Sequence, residues 1–148
     1  MRLPKNVSTR LLMLAAMALA SAGIGLADDE CGLRTLRGTY VFAATGYNIV
    51  SGAAQPKAIL EVIVFNGDGT LTVPTATVSI NGTVSRSSQG TGSYTVGSEC
   101  RGTLAFAGGP SFDIVTSRAG KQLWMIQTNA NTVLQGTATR TSRNDEDD

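Results

Sequence analysis

The sequence predicts an all-β domain, an antiparallel meander of about eight or nine strands closed into a small barrel, from three observations. Segments of alternating apolar and polar residues recur along the chain at short spacing. Turn signals built on Gly, Asn and Asp separate them, among them Asn66-Gly67-Asp68-Gly69 and Asn81-Gly82, whose residues tolerate the positive φ of tight hairpins. Past the amino-terminal segment no apolar spacing of helical period competes. Composition agrees, with 17 glycines, 42% hydrophobic and only 16% charged residues, a balance suited to sheet rather than to helix or disorder. A chain of 148 residues is one domain by size. Closure is favoured because a closed meander leaves no strand edge exposed.

The amino-terminal segment reads as a targeting sequence. Arg2, Lys5 and Arg10 form a basic start, Leu11 to Ala20 an apolar core, and Gly25-Leu26-Ala27 a small-x-small cleavage site before Asp28, with Ala20-Ser21-Ala22 as the second candidate. A signal-peptide helix over 1–27 is therefore expected, followed by the barrel over 28–140 and a disordered acidic tail over 141–148. The unbroken apolar run is shorter than the ~18 to 20 residues that span a bilayer, and no second such run follows, so the trimmed product has no membrane span. It is expected outside the cytoplasm, in the periplasm, at the cell surface or in the medium. Twelve basic residues face 11 acidic ones in the whole chain; loss of Arg2, Lys5 and Arg10 makes the product net negative. No basic patch remains for a phosphate backbone, which argues against nucleic acid as a partner.

Histidine is absent. That removes Ser-His-Asp and Cys-His catalysis, the H-E-x-x-H zinc motif and a histidine pH switch. Cys31 and Cys100 are the two cysteines. Without C-x-x-C spacing or a histidine they predict no metal centre; in an exported chain an even pair predicts a disulfide. No cofactor is implied.

Cys31 to Leu36 is short enough for one helical turn or a lead-in strand. Gly38 to Thr45 alternates, with Tyr40, Phe42 and Ala44 on one face. Gly46 to Gln55 reads as a loop ending at Pro56. Ala58 to Phe65 is apolar on both faces except at Glu61, and is expected to be central. After the Asn66 to Gly69 turn, Thr70 to Ile80 is a strand in which Pro74 marks a bulge or an edge. Thr83 to Ser88 is polar and more exposed. Ser93 to Val96 and Gly102 to Phe106 flank a turn at Gly97 to Cys100. Ser111 to Thr116, Gln122 to Gln127 and Thr132 to Thr139 complete the set, separated by turns at Ser117 to Gly120 and Asn129 to Asn131. The pairs Gly38-Thr39, Gly92-Ser93, Gly102-Thr103 and Gly136-Thr137 form an internal echo; with no fixed period, it reads as a repeated way of beginning a strand.

Taken together, CGLRTLRGTYVF, FNGDGTLT, INGTVS, GSYTVGSECRGTLAF and LQGTATR resemble a group of small exported bacterial proteins of no established function, across essentially the whole of 28–140. Their layout is similar to that of calycin-type and allene-oxide-cyclase-like barrels. The resemblance implies a barrel and transfers no catalytic residue.

Of the carboxylates, Asp68 and Glu99 are explained by turns, and Glu61 and Asp113 remain. Glu61 shares its strand face with Ile59, Ile63 and Phe65; if that face lines the interior, its carboxyl lies in an apolar cavity with a raised pKa, able to orient a ligand or act as an acid. The commoner fate of such a residue is an outward position or a pair with an arginine such as Arg101. Tyr40, Tyr94 and Trp124, the last sharing a face with Ile126, are the large amphipathic side chains for a pocket, or else core. Asn81-Gly82-Thr83 fits an N-glycosylation pattern, but its turn chemistry accounts for it. The functional expectation is an exported, non-enzymatic module binding a small apolar ligand or a surface partner. The alternative is a cofactor-free isomerase or cyclase in which Glu61 and a tyrosine steer a reactive intermediate.

Overall fold

A computed structural model describes residues 30–143; residues 1–29, which hold the expected signal peptide, and the acidic end at 144–148 lie outside the described residues. Nine strands follow a short 3-10 helix at Leu33–Thr35: β1 Arg37–Val50, β2 Ala53–Asn66, β3 Thr70–Ile80, β4 Thr83–Ser87, β5 Gly90–Tyr94, β6 Arg101–Phe106, β7 Ser111–Thr116, β8 Gln122–Gln127 and β9 Thr132–Ser142. Every pairing is antiparallel. The order β2-β1-β9-β8-β7-β6-β5-β3 closes through a β2–β3 ladder, and β4 is an additional strand on β3. The expected meander barrel is the observed fold. Among the described residues no helix is long and apolar enough to cross a membrane.

The stretch read as a loop, Gly46 to Gln55, is instead the tip of the longest hairpin. β1 and β2 stay paired from Arg37↔Asn66 to Val50↔Ala53. Ser51 and Gly52 turn the chain with φ of 51° and 80°, the two positive values of a type I′ hairpin. Pro56 is tolerated there because its carbonyl accepts from Asn81 N–H. A strand residue's N–H and C=O point to the same neighbour, so the missing N–H of Pro56 faces the place where the β3 ladder has ended. β9 likewise runs to Ser142, past the boundary at 140 read from sequence.

Pro74 marks a bulge, as expected. The β2–β3 register passes from Val62↔Thr75 to Val64↔Thr72, setting Val73 and Pro74 together against Ile63. On its other side β3 pairs with β4 from Ile80↔Thr83 to Ala76↔Ser87 and with β5 from Val73↔Gly90 to Thr70↔Ser93. These are one register line interrupted opposite Pro74 and Thr75. All of β4 is exposed, so it extends β3 beyond the barrel wall.

The four Gly-hydroxyl pairs have a different origin from the one read in the sequence. Gly38 and Gly136 sit where β1 meets β9, and Gly92 and Gly102 where β5 meets β6. A Cβ added at these positions would lie 2.2 Å from Ser142 O, 2.3 Å from Ala43 O, 2.5 Å from Ala105 O and 1.8 Å from Thr95 O. Gly46 adds a fifth such contact, 1.9 Å from Val133 O. These glycines allow the backbones to close up on the inner side of two sharp corners. The corners divide the barrel into β1-β2-β3-β5 and β6-β7-β8-β9.

Alternation places Tyr40, Phe42, Ile63, Phe65, Leu104, Phe112, Leu123 and Leu134 fully inside. The lower end, where β1 begins, is plugged. Phe65 stands edge-on to both Tyr40 and Tyr94, with ring centroids 5.0 Å apart in each pair. Cys31 and Cys100 are bonded, with Cα atoms 4.9 Å apart, which ties the 3-10 segment beneath the barrel to the β5–β6 turn. A disulfide of this kind suits an oxidising compartment. Its 69-residue separation is worth roughly 4 kcal/mol on the chain-entropy account.

Candidate functional site

Two polar side chains of β2 face the barrel interior, Lys57 toward the upper end, which carries the β1–β2 and β8–β9 turns, and Glu61 deeper inside below it. β2 supplies them by alternation. Lys57, Ile59, Glu61, Ile63 and Phe65 form its inward row, and Glu61 is paired laterally with Phe42 on β1 and Ala76 on β3. Every inward neighbour of Glu61 in this register is apolar. The side chain is only 9% exposed, and among the described residues no donor reaches its buried Oε1. Burial accordingly pushes its pKa from 4.5 to about 7.

Among the described residues the expected pairing of Glu61 with an arginine does not form. Arg101 is on the outer face of β6, exposed, while Gly102 and Leu104 point inward. The register decides this: an arginine would have to occupy an inward position, and β6 fills those with small and apolar residues.

Four residues above Glu61, or ~13 Å along the strand at about 3.3 Å per residue, Lys57 donates from Nζ to Gln127 Oε1 at 3.4 Å. The bond crosses from β2 to β8 over the open end. Burial lowers the Lys57 pKa. The pair lines a groove of about 810 Å³ together with Pro56, Ile126, Val133 and Leu134, a volume within the range typical of small-molecule sites. Glu61 does not line this groove.

The two buried tyrosines are committed elsewhere. Tyr40 donates its hydroxyl to Gly120 O, and the Tyr94 hydroxyl lies 2.8 Å from Leu33 O and 3.0 Å from Leu36 O. Burial raises both phenol pKa values. Both hydroxyls therefore secure the lower plug and neither is brought to Glu61. Trp124 is not in the interior: it is 46% exposed on the outer face of β8, with Ile126 at 54% beside it, while Leu123 and Met125 point inward. Either face of β8 offers large apolar residues, so alternation alone could not choose between them.

Of the remaining carboxylates, Asp68 accepts from Thr70 N–H at 2.9 Å and from its hydroxyl at 2.7 Å, the turn role expected of it. Asn81 and Gly82 have φ of 49° and 84°, again a type I′ turn. Among the described residues no group of three or more His, Cys, Asp or Glu side chains could hold a metal ion. Sequence reasoning missed Lys57 and Gln127. Their inward positions follow from the same alternation as Glu61, but Lys57 lay in what read as a loop margin. No family model, curated protein or solved structure matches the chain.

Proposed function

We propose that this protein is an exported, non-enzymatic binding module that holds a small, mainly apolar ligand in the interior of its barrel, against Glu61. The observation that carries the reading is Glu61, a buried acceptor in apolar surroundings with an oxygen that no donor among the described residues satisfies. Native proteins leave few such atoms, and leaving one costs about 1 to 3 kcal/mol. A ligand bearing one hydroxyl or amine on an apolar body would satisfy it.

The isomerase or cyclase reading needs a tyrosine beside Glu61 and loses support from the engagement of both buried hydroxyls at the opposite end. Export rests on the amino-terminal pattern together with the disulfide. Native mass spectrometry of protein recovered from its own host tests the proposal. The expected spectrum has a retained small molecule that Glu61→Leu releases. Protein that carries no added mass, and whose Glu61→Leu variant behaves identically toward neutral apolar alcohols, would refute it.

A further inference from the structure

Away from the barrel interior, the outer face of five consecutive strands is unusually apolar. One row across it runs Leu60, Ala43, Thr137, Trp124, Val115, each paired with the next. The row above runs Ala58, Thr45, Gln135, Ile126, Asp113, and Tyr47 and Val133 are paired above that. Leu60 is 57% and Val133 63% exposed, and Tyr47, Trp124, Val115 and Ile126 are all among the exposed large hydrophobics. With strands ~4.8 Å apart the patch is about 19 Å wide measured around the wall, across the β1–β9 corner. Isolated exposed apolar residues are ordinary; a contiguous field of them marks a contact surface.

The same face carries an open groove of about 670 Å³, lined by the outward Ala43, Thr45, Ala58, Leu60 and Trp124 and reaching the inward Ile59, Ile114 and Met125. Groove and projecting indole therefore belong to one surface. We propose that this face is the interface between two copies of the chain, related by a two-fold axis that seats Trp124 of each copy in the groove of the other. A two-fold contact must be self-complementary, each residue meeting its counterpart reciprocally, and a patch with its own knob and its own groove meets that condition. Asp113 is the one charged residue in the groove lining, so two copies approach with little like-charge repulsion. The six large residues offer of the order of 100 Å² each at about half exposure. That is roughly 600 Å² per copy and 1,200 Å² in the pair, above the ~1,000 Å² that separates specific interfaces from casual contacts.

Trp124 is the only tryptophan, so its fluorescence reports this face alone. Sedimentation equilibrium of the oxidised protein, with acrylamide quenching in parallel, should give a dimer whose indole is shielded. Leu60→Glu should halve the sedimenting mass and raise quenching toward that of free indole while the far-ultraviolet circular dichroism stays unchanged. Three results would overturn the proposal. The first is a monomer at the highest soluble concentration with a freely quenched Trp124, and the second is a dimer that survives both Leu60→Glu and Val115→Glu. In the third, a monomeric protein shields its indole only when phospholipid vesicles are added, which would assign the face to a membrane surface instead.

Discussion

Glu61 should make this barrel most stable in acid. The folded protein holds its proton with a pKa of about 7 against 4.5 for the unperturbed group, so the folded state binds more protons than the unfolded chain between those values. Stability from this group is therefore present in full below pH 4.5, is eroded as the pH rises toward 7, and is gone above it. At about 1.4 kcal/mol per pH unit the total loss is on the order of 3 kcal/mol, a large fraction of the 5 to 15 kcal/mol typical of a domain. Asp68 acts in the opposite direction. Thr70 hydrogen bonds hold its carboxyl below the ordinary range, so its contribution is present above that range and lost as the pH falls, in a more acid window than Glu61 uses. Urea unfolding at half-unit steps from pH 4 to pH 8.5 separates the two. Wild type should lose midpoint steadily across the Glu61 window, Glu61→Gln should be flat there, and Glu61→Leu should exceed wild type above pH 7. Equal slopes for wild type and Glu61→Gln would show that the carboxyl is already solvated or paired, and the ligand argument built on it would fail too.

Substitutions of three kinds, at glycines, at a tyrosine and at the cysteines, test the rest of the framework. Gly102→Ala or Gly136→Ala places a methyl within 1.8 or 2.3 Å of a neighbouring backbone oxygen; each should lower stability by about 1 to 3 kcal/mol, as overpacking does. Gly52→Ala, with nothing within 4 Å of its added Cβ, keeps only the positive-φ penalty and should lose less, which thermal midpoints can rank. Tyr94→Phe removes the hydroxyl that bonds the carbonyls of Leu33 and Leu36 and should lower stability by about 1 to 2 kcal/mol, measured by denaturant titration. Replacing Cys31 and Cys100 by serine should remove up to ~4 kcal/mol and expose the lower plug to hydrogen exchange first.

Much of the strand plan was legible because alternation and turn chemistry are local. β3, β7 and β8 have the bounds read from their residues, and both Asn-Gly turns form, with positive φ at Gly67 and Gly69 in the first and at Asn81 and Gly82 in the second. The hairpin tip at Gly46 to Gln55 was missed because Gly and Ala look like loop. There, glycine serves a corner and alanine serves an outer face, two demands that exist only once β9 has been brought alongside β1. Trp124 was placed in a pocket or core for a related reason. Sequence alternation says which residues share a face but not which face is inside.

The Gly-hydroxyl echo shows what the missing information is. The sequence repeats the pair at positions 38, 92, 102 and 136 without a period, which excludes a structural repeat along the chain. The repetition becomes intelligible only in the circular order of the strands, where β1 lies beside β9 and β5 beside β6. Two corners formed from both sides by glycine bring the barrel walls close together, and close walls let eight strands fill their interior with side chains. Glu61 departs from this packing, since its lateral neighbours Phe42 and Ala76 offer its carboxyl no hydrogen bond. A buried carboxyl oxygen with no donor among the described residues is a poor solution for stability alone. It is the arrangement expected if the barrel interior is shaped for something other than its own core.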